Sequence, residues 1–300
     1  MALAPSQQLK LSSRAILGVL CLAAGMAAFA GPWISNDLAT RSVYGLVLSV
    51  VYLAVTLIAR RVSSLQPLWE LSFAFFILAL SRFLNSVVGF VGTSILHDPP
   101  NAGDPLASTI SGTIVVQLLG TFVAIAPVVL STMVTRRGLG SIYATRGKLG
   151  RWFGFALVFF VVFYVFLATL PLRPGSQTSR LFPTNGPLTI ARFLGLTPAL
   201  LVVSLSNGFE EEFLVRGLFV QKYETFFGVG TSNVLQAIVF ATAHVGVTYT
   251  PELLFFFVIV LALGLFAGYL MRTTNGVLTP GIFHGAVDMA IYLAFLTYAS

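Results

Sequence analysis

Apolar runs long enough to cross a bilayer cover approximately 15–34, 42–59, 71–95, 110–134, 152–172, 198–226, 231–249, 253–270 and 276–297. A helix needs about 20 such residues to traverse roughly 30 Å of hydrocarbon. The pattern predicts an all-α, polytopic transmembrane helical bundle of eight or nine spans and leaves no room for a soluble domain. The longest polar interruptions are 97–109, with Pro99, Pro100 and Pro105, and 173–192, with Pro174, Pro183 and Pro187. Both read as loops or interfacial segments. There is no internal repeat and no low-complexity tract. The triplet Phe255-Phe256-Phe257 is expected to face lipid or neighbouring helices.

Composition agrees: 57% of the residues are hydrophobic, 9% are charged and the mean hydropathy is +0.91, far from soluble averages. A net charge of +7 would suggest nucleic acid in a polar protein. Here the Lys and Arg residues mark the loops between apolar runs, so no nucleic-acid partner is implied. If the amino end is cytoplasmic, Lys10, Arg14, Arg60, Arg61, Arg136, Arg137, Arg146, Lys148, Arg151, Lys222 and Arg272 share that side, against Arg41, Arg173, Arg180 and Arg192 on the other. That bias predicts a multi-pass protein of the cell membrane with a cytoplasmic amino terminus. The stretch ending Ala28-Phe29-Ala30 looks like a signal-peptide cleavage site, but the apolar run continues toward Trp33 and suits a span that is retained. Cys21, the single cysteine, reads as a packing residue.

Three of the ten acidic residues are consecutive, Glu210, Glu211 and Glu212, inside the run that opens near Pro198. With Pro198 in the first turn and Gly228 and Gly230 at the end, the triplet falls near mid-membrane. Ionised carboxylates there cost several kcal/mol each unless paired, hydrated or protonated. Glu212 has Arg216 one turn on, at the i, i+4 spacing, and is neutralised locally. Glu211, rotated by about 100°, faces elsewhere. The bland alternative is a juxtamembrane cap whose charges lie in water.

The next run carries Phe240 and His244. Taking Val229 as a hairpin turn, Glu211 and His244 lie roughly 27 and 22 Å from it, within about one helical turn in depth. The last run carries His284 and Asp288 on one helix face. Singly, a membrane histidine is more often a helix-to-helix hydrogen bonder. Ionisable groups from three spans meeting at one depth point instead to chemistry. A sheltered carboxylate can take a proton from water, one imidazole can hold that water, and a second can donate to an oxyanion, which suffices for amide hydrolysis without a covalent nucleophile. Arg82, also within a span, is expected to pair with Glu210, line a cavity or contact a substrate carboxylate, whereas His97 reads as a solvated loop residue. A proton-coupled carrier would bury similar groups, but should show repeated halves or paired broken helices.

Glu211-Glu212-Phe-Leu-Val-Arg216, Phe240-Ala-Thr-Ala-His244 and His284-Gly-Ala-Val-Asp288 resemble, in order, the EExxxR, FxxxH and HxxxN/D motifs of the CAAX-protease and bacteriocin-processing family of intramembrane endopeptidases. That family includes the type II CAAX prenyl proteases. The resemblance covers about 198–298, so the chain divides into N-terminal helices over 1–197, a lineage-specific scaffold, and a catalytic transmembrane core over 198–300. It implies that Glu211 and His244 activate water, that His284 and Asp288 form the oxyanion side, and that Glu212, Arg216 and Phe240 support them. The expected substrate is a membrane-associated peptide or protein, prenylated or of leader type. Asp288 departs from the Asn of many prenyl proteases, and an ionised Asp cannot donate to an oxyanion. It is therefore expected to orient His284 or to be protonated. Two His and one Glu are also the ligand set of some zinc hydrolases, which would make Glu211, His244 and His284 the ligands. With no His-Glu-x-x-His helix in the chain, no metal or other cofactor is favoured. A catalytically silent relative acting as an immunity or interaction factor would carry the same motifs.

Overall fold

The computed structural model describes residues 11–95, 109–172, 184–244 and 253–299. Most of the predicted 97–109 and 173–192 loops, with His97, lie outside them. Among the described residues there is no strand, and eight helices are long and apolar enough to cross a membrane. Five of these and one short helix precede the glutamate triplet: α1 (Leu11–Phe29), the short α2 (Gly31–Ile34), α3 (Leu38–Arg61), α4 (Trp69–Ile95), α5 (Ile110–Thr135) and α6 (Arg151–Thr169). Then follow α7 (Ile190–Glu211), a π-helical turn (Glu212–Gly217), α8 (Leu218–Phe227), α9 (Val229–Ala243), α10 (Leu253–Thr274) and α11 (Leu278–Tyr298).

Helix starts follow local chemistry. The Asp37 carboxylate accepts from the backbone N–H groups of Ala39 and Thr40 at the start of α3, and Thr109 and Thr189 cap α5 and α7 through their hydroxyls. Thr189 corrects one expectation: α7 opens eight residues before Pro198, which lies inside it. A proline is tolerated within a membrane helix because neighbouring helices and polar groups can satisfy the freed backbone, and a capped threonine is the stronger start signal. From Ile190 to Phe227 the chain is one span of 38 residues, and the glutamates sit near its centre as expected.

Gly228, with φ of +76°, turns the chain directly from α8 into α9, one residue earlier than the expected Val229. A positive φ is nearly free for glycine. The predicted 231–249 span is also corrected. α9 has 15 residues, about 22 Å at 1.5 Å per residue, so it stops short of crossing a bilayer. His244 is its C-cap, and 245–252 fall outside the described residues.

The apolar core has two main parts. One joins α1, α4, α5, α8, α9 and α10 around residues such as Leu78, Phe219 and Phe240, and there Cys21 packs as a buried thiol. The other joins α6, α7 and α11 around Leu200, Val203 and Met289. Phe255 is exposed while Phe256 is buried in the core, so the aromatic triplet turns one ring outward and another toward neighbouring helices, as expected. One end of the bundle collects the basic residues: Arg137 pairs with Glu70 at 2.7 Å, Arg272 pairs with Glu224, and the segment after α5 folds onto the α10–α11 turn through Lys148 N–H to the Thr274 carbonyl at 2.7 Å.

The approach of α7 to α11 positions everything that follows. A Cβ on Gly208 would lie 2.6 Å from the Gly285 nitrogen and 3.0 Å from the Gly281 carbonyl oxygen, so the two backbones touch only because no side chain intervenes. Gly208→Ala is expected to lower stability in detergent by about 1–3 kcal/mol, the usual range for overpacking. Gly230→Ala, where a Cβ meets nothing within 4 Å, should leave the melting temperature nearly unchanged. Equal melting of the two variants would contradict this account of the contact.

Candidate active site

The site lies where α7 passes into α8, faced by α9 and α11. Residues 212–217 form a π-helical turn, a wider winding that is frequent at functional sites. Within it Glu212 and Arg216 remain paired as expected, at 3.0 Å, with both side chains fully buried. The Arg216 guanidinium carbon also lies 4.0 Å from the centre of the Phe240 ring, a close cation–π contact for a desolvated cation.

Glu212 does more than neutralise Arg216. The same oxygen that accepts from Arg216 Nη1 also accepts from His284 Nδ1 at 2.9 Å. A carboxylate can only accept, so Nδ1 carries the hydrogen and Nε2 of His284 turns toward the remaining groups. It stands 3.5 Å from Glu211 Oε2 and 3.6 Å from Asp288 Oδ1. His284 Nδ1 is thus oriented by Glu212, while Asp288 approaches the opposite nitrogen beyond hydrogen-bond distance.

His244 is set the same way. Its Nδ1 lies 2.8 Å from the Phe240 carbonyl oxygen, one turn back on its own helix, which again places the hydrogen on Nδ1. Nε2 is left facing Glu211 Oε2 at 3.8 Å. That carboxylate oxygen is buried with no hydrogen-bond partner among the described residues.

Glu211 Oε1 is held differently. Asn207, one turn earlier on α7, donates through Nδ2 to Glu211 Oε1 at 3.3 Å and to Asp288 Oδ2 at 3.0 Å. Asn207 was not singled out from the sequence. Its i, i+4 spacing from Glu211 was the available signal.

Glu211 and His244 open onto a cavity of about 170 Å³ whose wall also includes Phe29, Arg82, Gln117 and Glu210. That is ample for a water molecule, and its polar groups can hold one. Arg82 reaches the cavity wall, but it is not ion-paired with Glu210. Its guanidinium sits 5.3 Å over the Phe29 ring, and Glu210 instead accepts from Thr121 Oγ1 at 2.9 Å and Gln117 Nε2 at 3.4 Å. Two hydroxyl and amide donors on α5 reach this carboxylate, which removes the need for the arginine. Among the described residues, no three His, Cys, Asp or Glu side chains are grouped as a metal ion would require.

Residues 193–290 match the family model described as type II CAAX prenyl endopeptidase Rce1-like. No curated protein and no solved structure matches the chain significantly. The prenyl-endopeptidase match spans about a third of the chain, from within α7 to within α11, and takes in Asn207, the glutamate triplet, Arg216, His244, His284 and Asp288. Together with the eight apolar helices, it marks an integral, multi-pass membrane protein.

The buried ion pair in the matched segment tests the site's foundation. Removing one partner strands a charge, so Glu212→Leu should cost about 3–5 kcal/mol. The double variant Glu212→Leu, Arg216→Met should recover most of that loss, because no bare charge remains. Thermal unfolding of the purified variants in detergent reads both values, and a double variant no more stable than the single would contradict the pairing.

Proposed function

We propose that the protein is an intramembrane endopeptidase that hydrolyses a peptide bond of a membrane-associated peptide or protein with a water activated by Glu211 and His244. One observation carries the reading. Glu211 Oε2 and His244 Nε2 face each other across the cavity at 3.8 Å, while Nδ1 of the ring is turned to the Phe240 carbonyl, so a water between them can donate to the carboxylate and hydrogen-bond to the imidazole. The match to the prenyl endopeptidases supports the same reaction class.

In this reading the water oxygen attacks the scissile carbonyl carbon as one of its protons passes to Glu211. The carbonyl π pair becomes an oxyanion beside His284, whose Nδ1 hydrogen is already committed to Glu212 and which donates from Nε2 when that nitrogen also carries a proton. Collapse of the tetrahedral intermediate expels the amine, which takes the proton from Glu211. Asp288 lies on the Nε2 side of His284, at 3.6 Å. Asn207 acts as a positioning residue, tying Glu211 to Asp288. A prenylated or leader-type substrate is the class the family likeness favours, and the cell membrane with a cytoplasmic amino terminus is the location the loop charges favour.

Purified protein and membrane-anchored peptides test this. Glu211→Gln and His244→Ala should each lower turnover by about 10²–10⁴-fold, the usual yield of a general base, with melting temperatures near wild type. Undiminished cleavage in both would remove the assignment. The reaction as written uses no metal, so activity should survive exhaustive chelation; loss that zinc alone restores would reassign Glu211, His244 and His284 as ligands.

Asn207→Leu, which keeps the volume and deletes both donors, should reduce kcat about ten- to hundredfold with little change in KM, as expected when a reacting group loses its orientation. A purely structural role would move melting temperature and leave kcat alone.

A further inference from the structure

A second and larger cavity, about 470 Å³, lies at the basic end of the bundle between the starts of α4 and α8 and the end of α5. Its wall holds two kinds of group. Leu71, Phe73, Leu218 and Phe226 line an apolar side, while Lys222 and Arg137 supply cations. The cations are not equivalent. Arg137 is matched by Glu70, which accepts from Nη2 at 2.7 Å and Nε at 3.2 Å. Lys222 donates only to the Leu218 carbonyl of its own helix, at 2.8 Å, and no carboxylate lies within ion-pair distance of it among the described residues. One ammonium with hydrogens to spare therefore stands in a cavity whose other charges cancel.

The cavity's level says what kind of anion fits. It is bounded by Gln66 and Trp69 at the α3–α4 connection, where the apolar runs end, and the Arg60 guanidinium lies 5.4 Å over the Trp69 ring. Tryptophan and arginine at the end of a span mark headgroup depth. A single negative charge, joined to a chain that would cover the apolar wall, meets both halves of the cavity. We propose that this cavity binds an anionic phospholipid, with the headgroup phosphodiester on Lys222 and an acyl chain along Leu71, Phe73 and Phe226. A free phosphate would satisfy the ammonium but leave the apolar wall bare.

The test uses the full-length protein, purified and delipidated in detergent, titrated with dioleoyl phosphatidylglycerol and read by native mass spectrometry. Two variants accompany wild type: Lys222→Met, which removes the charge and keeps the stem, and Ser141→Trp, which fills the cavity from its rim. Each should weaken phosphatidylglycerol binding about fivefold or more, the factor expected for one basic contact. Dioleoyl phosphatidylcholine, whose choline cation offsets its phosphodiester, should bind more weakly than phosphatidylglycerol to wild type and lose less than phosphatidylglycerol does on Lys222→Met. Millimolar inorganic phosphate should fail to displace the lipid. If Lys222→Met does not fold, Ser141→Trp alone decides. Unchanged phosphatidylglycerol binding in the folded variants overturns the site, and displacement by inorganic phosphate overturns the lipid in favour of a free anion. Neither outcome bears on whether Glu211 is catalytic.

Discussion

A charged side chain surrounded by hydrocarbon must find a partner, and in this bundle that requirement organises the centre of the molecule. Arg216 is fully buried, and its charge is met by Glu212. Glu212 in turn takes the Nδ1 hydrogen of His284, and His284 presents its other nitrogen to Glu211 and Asp288. Each link fixes the next, so one ion pair on a single π-helical turn sets the tautomer and direction of an imidazole on a different helix. Such a chain is costly to assemble, because every group in it has left water. It is stable only because α7 and α11 come close enough to share it, which the glycine contact at Gly208 allows.

Glu211 is the member that the pairing leaves incomplete. One of its oxygens is held by Asn207; the other faces two imidazole nitrogens and has no donor. A buried acceptor without a donor is expensive, and the adjoining cavity is large enough for a water that would meet that cost. A water there would lie against the Glu211 carboxylate. The cavity wall there is shared: Phe29, Arg82, Asn85 and Gln117 come from helices outside the matched segment, while Asn207, Glu211 and His244 come from within it. The space beside Glu211 and His244 is thus shaped by α1, α4 and α5 as well.

Much of this was legible in the chain because ionisable residues are rare in apolar runs. Glu211, Glu212, Arg216, His284 and Asp288 stand out against their surroundings, and helical rise alone brings Glu211 and His244 to one depth. What could not be read depends on backbone detail or on uncharged partners. The π winding over 212–217 has no composition of its own. Asn207 looks like any polar residue until α11 is placed beside it. Pro198 suggests a helix start, yet the Thr189 hydroxyl caps α7 earlier. His244 looked like a mid-span residue because the apolar run continues past it, whereas α9 ends there. Arg82 and Glu210, the two remaining charges of the region, do not pair, since Thr121 and Gln117 reach Glu210 first.

The central claim is that a water sits between Glu211 and the imidazoles inside the membrane. High-resolution cryo-electron microscopy of the protein in lipid nanodiscs tests it directly. The account predicts ordered density for a water within hydrogen-bonding distance of Glu211 Oε2 and His244 Nε2, with His284 Nδ1 on Glu212. A Glu211 carboxyl turned into lipid, or placed beyond one water's reach of both imidazole rings, would contradict it.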